Sequence, residues 1–254
     1  MDLTRARSVA ARLTFLPECG STNAELRTLE SDAIAWPHLS VLLTDSQTAG
    51  RGRLDRRWTT PPGAALAVSV LLRELPGSVE ARGWIPLAAG AAMTDAVAAQ
   101  LPEHRVGLKW PNDVLVDGRK ICGILAEVAG ESIIVGTGVN TAMTADELPV
   151  PTATSFAALG VEADVDRLLV DYLTGLDTTL RELVRTEDAV RAGLHEQVTA
   201  RCLTLGADVD VSLPDGTLLH GRARRLEADG RLVVGDGSEE RAVASGDVVH
   251  ARLA

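Results

Sequence analysis

Lysine and asparagine are rare in this chain, and where they occur is informative. Of 25 basic side chains only Lys109 and Lys120 are lysines, and the asparagines are Asn23, Asn112 and Asn140. All five lie within or beside short motifs. A compact ammonium and a neutral amide are chemically distinct from the arginine and aspartate that dominate elsewhere. Lys109-Trp110-Pro111-Asn112-Asp113 places an ammonium, an amide and a carboxylate within five residues. Pro111 biases Trp110 towards extended backbone and so fixes the direction of its neighbours. Such a set suits phosphate together with Mg²⁺, an ion that prefers oxygen ligands. Lys120 sits just past an Asp117-Gly118 turn, and hairpin pairing would bring it back towards Lys109. Gly136-Thr137-Gly138-Val139-Asn140 closes an apolar run with two glycines and an amide, suited to an adenine edge or a sugar.

A second group is cationic. Gly50-Arg51-Gly52-Arg53, with Arg56, Arg57 and Trp58 behind it, puts guanidinium forks on a backbone that glycine lets approach a ligand closely. Guanidinium and exposed amides both donate to oxyanions, so the loop suits phosphate or carboxylate. The Walker A pattern is absent. Cys19, Cys122 and Cys202 are widely spaced and form no C-x-x-C pair, which predicts buried free thiols and neither a disulfide framework nor a zinc site.

The elements that must position these residues are legible as periodic runs. Residues 1–14 read as a short helix or arm, and a helix over about 22–31 follows Ser21, with Ser21 or Thr22 capping its first amides. Runs 39–44 and 64–73 read as strands buried on both faces, joined by a long loop of the kind that is usually functional. Residues 85–101 are Ala-rich with helical spacing. The stretch around Asp117-Gly118 reads as a hairpin, SIIVGTGVN as a strand, and 164–201 as helical. From 202 onward the pattern becomes short alternating strands with glycine turns, as in a small SH3-like barrel. The expected fold is therefore α+β, with a catalytic domain over 1–201 built on a mixed sheet packed with helices, then a C-terminal barrel over 202–254.

A length of 254 residues, 46% hydrophobic and 24% charged, is that of an ordinary globular protein. The net charge of −10 argues against general affinity for nucleic acid, and no apolar run approaches the roughly 20 residues of a membrane span. Without a signal-peptide pattern, a cytosolic location is expected.

Together Ser21-Thr22-Asn23, the Gln47 to Trp58 loop, KWPND at 109–113, the run from Arg119 to Glu127 and GTGVN at 136–140 resemble the biotin–protein ligase family in order and spacing. The resemblance implies a catalytic domain like those of class II synthetases and lipoate ligases. It also implies ATP-dependent activation of biotin to biotinyl-5′-AMP, then transfer to a lysine of a biotin carboxyl carrier domain of a carboxylase. Ser21, Thr22, Asn23, Gln47, Gly50, Trp58 and Gly123 would line the biotin site. Arg51, Gly52 and Arg53 would close over the biotin carboxylate and the phosphates. Lys120 would contact the reacting oxygens. Lys109, Trp110, Asn112 and Asn140, with Arg51, Arg53 and Trp58, would serve ATP, Asn112 lying near Mg²⁺. Arg51, Lys109, Asp113 and Lys120 would be catalytic, with Asp113 handling the proton of the acceptor amine.

Family members that double as repressors carry roughly 60 further residues before the Ser-Thr-Asn motif; the 20 residues ahead of Ser21 predict a ligase without DNA binding. A lipoate–protein ligase is the nearest alternative, and a nucleotide-sensing protein without turnover is another. Polar Gln47 and Asn23 suit a ureido ring better than a dithiolane. Monomer and homodimer are both open.

Overall fold

A computed structural model of the chain describes residues 1–53, 56–213, 216–235, 237, 239–244 and 247–250. It opens with helix α1 (Thr4–Val9) and strand β1 (Arg12–Phe15), followed by α2 (Thr22–Leu29), β2 (Ser40–Thr44) and β3 (Ala65–Leu72). Next come α3 (Val79–Arg82), α4 (Ile85–Ala98), β4 (Val106–Lys109), β5 (Asp113–Val116), β6 (Arg119–Ala129) and β7 (Ser132–Asn140). Helices α5 (Val165–Thr186) and α6 (Leu194–Arg201) precede β8 (Asp208–Ser212), β9 (Leu218–Leu226), β10 (Leu232–Gly235), β11 (Glu240–Val243) and β12 (Asp247–His250).

The first seven strands form one mixed sheet in the order β1-β2-β3-β7-β6-β5-β4. Strands β2 and β3 are buried at every position, which is why they read as continuous apolar runs without alternation. The Ala-rich α4 lies against the sheet with Leu108 and Ile124 close to Gly90, where a Cβ would stand 2.5 Å from Leu108 Cδ1. Small residues thus let this helix approach the sheet closely. Helix α5 is amphipathic; its cap Asp164 accepts from the Arg167 amide. Arg5 of α1 bonds both Asp164 and Asp166, fastening the N-terminal helix to α5.

Both expected buried strands, the Ala-rich helix, the hairpin and the SIIVGTGVN strand form. Asp117 and Gly118 turn the hairpin with positive φ at both positions, 49° and 76°. Three details differ. Residues 1–14 hold a helix and also β1, which pairs parallel to β2. Val106–Lys109 forms β4, antiparallel to β5. The helix at 22 is not capped by Ser21 or Thr22: the Thr22 amide donates to Gln47 Oε1 at 2.7 Å, a cap supplied from another segment.

The last five strands form the expected antiparallel sheet, in the order β11-β10-β9-β8-β12. The sequence DVVHARL reads as the last strand, and its residues 251–253 lie outside the described residues. Three ring nitrogens of the first 201 residues bond alternate carbonyls of one turn in this sheet: His195 Nε2 to Leu226 at 3.0 Å, Trp84 Nε1 to Ala228 at 2.9 Å and Trp110 Nε1 to Gly230 at 3.1 Å. Val209, Val211, Leu226 and Leu232 join the same apolar core as α4 and α5. No helix among the described residues is long and apolar enough to cross a membrane.

Candidate active site

One face of the large sheet carries a cavity of about 180 Å³. Its floor is β7 at Gly136 and Gly138, where a Cβ would lie 2.5 Å from Asn23 Oδ1 and 2.8 Å from Trp58 Cε2. Only glycine lets the start of α2 and the Trp58 indole rest directly on the strand. From α2, Asn23 donates through Nδ2 to Glu127 Oε2 at 2.7 Å, and its Oδ1 accepts from Ser69 at 2.6 Å. Ser69 is the one polar residue of β3. Gln47 Oε1 accepts from both the amide and the hydroxyl of Thr22, at 2.7 and 3.1 Å. Ser21, Thr22, Asn23 and Gln47 thus gather at one end of the cavity.

The glycine–arginine loop folds over as a narrow flap. Gly52 donates to the Arg56 carbonyl at 2.7 Å and Trp58 to that of Gly50 at 3.0 Å. Leu54 and Asp55, part of the Gln47 to Trp58 motif, lie outside the described residues. Arg53 Nη1 donates to Asn112 Oδ1 at 2.9 Å, while Asn112 Nδ2 donates to the Ile124 carbonyl at 2.8 Å. The flap is therefore docked on KWPND. Arg51 Nη2 stands 3.7 Å from Glu127 Oε1 on β6.

Lys120 Nζ lies 2.6 Å from Asp113 Oδ1. A Cβ on Gly123 would sit 2.9 Å from that ammonium, so the glycine leaves it room. The Lys120 backbone is clamped by a segment that sequence reasoning did not single out: it donates to the Thr152 carbonyl and accepts from the Thr154 amide, at 2.7 and 2.8 Å. Five cations, Arg51, Arg53, Arg56, Arg57 and Lys120, line the cavity with one carboxylate, Asp113. In a chain of net charge −10 this is a local reversal of sign.

Four expected contact residues do not line this cavity. Lys109 is the register partner of Asp113 across β4 and β5, on the far side from Lys120. Hairpin pairing thus carries Lys120 to Asp113, with Lys109 beyond it. Trp110 is 1% exposed, committed through its indole to Gly230, and it borders a second cavity of about 400 Å³. Asn140 ends β7 buried, its amide donating to the Thr154 carbonyl at 2.9 Å. Gly50 packs under Trp58 and Gln47. The second cavity adjoins the first through Arg53, Asn112, Ile124 and Leu125, and Asp229-Gly230-Arg231 of the turn between β9 and β10 also border it.

Ser69 joins the site's hydrogen-bond network without having been singled out from sequence, while Arg56 and Arg57 of the cationic loop and Glu127 of the Arg119–Glu127 run had been given no individual role. A lone serine in an apolar strand was the visible signal for Ser69. All three cysteines are buried; burial pushes the Cys19 thiol up to about 11 and that of Cys122 to about 12, which leaves them poor nucleophiles. Among the described residues no three His, Cys, Asp or Glu side chains gather as metal ligands.

Residues 20–140, which include all of this cavity's lining, match the biotin/lipoate A/B protein ligase family. Over 254 aligned residues the chain is 38% identical to the biotin–[acetyl-CoA-carboxylase] ligase of Mycobacterium tuberculosis, covering 99% of this chain and 93% of that protein. The chain belongs to the biotin protein ligase family. Its likeness to ligases that are also repressors is partial: the bifunctional ligase/repressor BirA of Escherichia coli is 39% identical over 106 residues, 40% of this chain and 32% of that protein. Among solved biotin protein ligases, that of Aquifex aeolicus in complex with biotin and ATP superposes with a TM-score of 0.78. It is 25% identical, and the match covers 96% of this chain and all of that one.

Proposed function

We propose that this biotin protein ligase acts as a biotin–[acetyl-CoA-carboxylase] ligase and runs both half-reactions in the flap-covered cavity. The observation that carries this reading is the reversal of charge: five cations face one carboxylate in a cavity whose other end is lined with neutral hydrogen-bonding groups. Ser21, Thr22, Asn23 and Gln47 suit the ureido ring of biotin, and the cations suit its carboxylate and the phosphates of ATP.

In the first step a biotin carboxylate oxygen attacks the α-phosphorus of ATP. A P–O bond forms, the bond to the β-phosphate breaks, and pyrophosphate leaves with the electron pair. Negative charge accumulates on the phosphoryl oxygens, and cations fixed in advance lower the barrier most. On this reading Arg51, Arg53 and Lys120, which line the cavity, supply them. In the second step the acceptor lysine's amine attacks the acyl carbon, AMP departs, and the amine's proton is lost. Asp113, ion-paired to Lys120, is the carboxylate available to orient or receive it. Trp110 and Asn140 act on this reading by holding the flap's dock and the Thr152–Thr154 segment, and Lys109 by its charge beyond Asp113.

The residues present do not fit a magnesium site built by the protein. Asn112 Oδ1, expected near that ion, accepts from a guanidinium, and among the described residues no carboxylate cluster stands beside it. Magnesium enters as part of the Mg·ATP substrate, keeping most of its own water.

Incubation of a purified biotin carboxyl carrier domain with the chain, biotin and ATP tests the reading; one biotinyl group should be added, at a single lysine. A lipoate-specific site is the other reading. It predicts lipoate-dependent, not biotin-dependent, exchange of pyrophosphate into ATP, whereas the polar groups around Gln47 favour biotin.

A further inference from the structure

Glu127 has no role in the reaction as described, yet it bridges two parts of the site that do. Its side chain projects from β6 and is 18% exposed. Oε2 accepts from Asn23 Nδ2 at 2.7 Å, and Oε1 accepts from Arg27 Nη2 at 2.9 Å. The same Oε1 stands 3.7 Å from Arg51 Nη2. The first two contacts are hydrogen bonds; the third is too long to be one. Glu127 therefore attracts the Arg51 guanidinium without consuming an N–H donor. It also locks the Asn23 amide, whose Nδ2 reaches Glu127 and the Leu125 carbonyl while Oδ1 accepts from Ser69. A flipped amide would set Oδ1 against a carboxylate.

We propose that Glu127 is a positioning residue for retention of the acyl-adenylate. By charge it keeps Arg51, on the flap, over the cavity, and by a hydrogen bond it keeps the Asn23 amide in one orientation, so the flap and the polar end of the site hold a fixed spacing. The proposal rests on the reading that Arg51 faces the acid and phosphate groups. Because Glu127 leaves the donors of Arg51 unspent, the arm stays in place and can still bond to an oxyanion.

Glu127→Gln separates the two actions, since glutamine keeps an oxygen for Asn23 and removes the charge that holds Arg51. Dissociation of preformed biotinyl-5′-AMP is measured by chase from the full chain, from Glu127→Gln, from Arg51→Ala and from the double variant. Glu127→Gln is expected to speed release about threefold to fivefold, the size of a partly exposed ion pair. Arg51→Ala also speeds release, and adding Glu127→Gln to it changes nothing more, because a residue acting through another is silent once that other is gone. Unchanged release in Glu127→Gln overturns the proposal, and so does an equal acceleration in the Arg51→Ala background. A parent chain that neither binds biotinyl-5′-AMP nor releases pyrophosphate from ATP when given biotin sinks the functional reading itself. That result is distinct from an active parent whose Glu127→Gln variant behaves normally.

Discussion

Lys120 owes its place to a glycine, an aspartate and a distant loop: Gly123 makes room, Asp113 pairs with the ammonium, and Thr152 and Thr154 clamp the backbone. Removing such a fixed cation from a developing oxyanion costs on the order of 10²-fold in rate. Lys120→Ala and Arg51→Ala are each expected to lose about that much in biotin-dependent ATP–pyrophosphate exchange, and an unchanged rate would remove the residue from the mechanism. Asp113→Asn should slow transfer from preformed adenylate to a carrier domain more than it slows exchange; equal slowing of both would assign Asp113 to the first step. Another single-atom effect lies at Thr137, a residue of the cavity lining between the floor glycines Gly136 and Gly138. Thr137 Oγ1 is buried with no hydrogen-bond partner, and Thr137 pairs in register with Ile124 and Val68 of the core. Thr137→Val keeps the shape and removes an unsatisfied hydroxyl, so denaturant unfolding should show a gain of about 1 kcal/mol.

The flap is the element on which the site depends, and its Trp58 rests on one glycine of β7, Gly138. Gly138→Ala would drive a methyl into the Trp58 indole, 2.8 Å from where that Cβ must go. Overpacking of this kind costs about 1–3 kcal/mol, and here the flap should absorb it by lifting. The expected result is a higher KM for biotin and ATP with little change in the circular dichroism of the fold. Elements with a long apolar period, such as β2, β3, α4 and α5, were legible in the sequence because burial alone dictates their pattern. Four-residue β1 and β4 were not, since they are too short to show a period and exist because β2 and β5 offer an edge. The cap of α2 was misread for a related reason: Ser21 is the right residue type, but Gln47, distant in sequence, reaches the amide first. KWPND was legible as a site but not in its division of labour. Asn112 and Asp113 face the cavity, while Trp110 is spent on the second sheet.

On the scale of the whole molecule, that second sheet is bound to the first through ring N–H groups of Trp84, Trp110 and His195 and through a shared apolar core. The change of texture at residue 202 is thus a change of architecture, and we propose that it is not a break in cooperativity. A single calorimetric transition is expected for the full chain; two separable ones would make the barrel an independent unit. Trp110→Phe removes one of the three bonds, worth about 1 kcal/mol, and should weaken ATP use more than biotin binding, because Trp110 borders the second cavity together with Asn112. The scarcity of amines has an analytical use. Reductive methylation with ¹³C-formaldehyde would install reporters at only Lys109, Lys120 and the N-terminus. Lys120 sits against Asp113 inside the cavity, so one resonance of a three-line spectrum would register each ligand as it arrives and leaves.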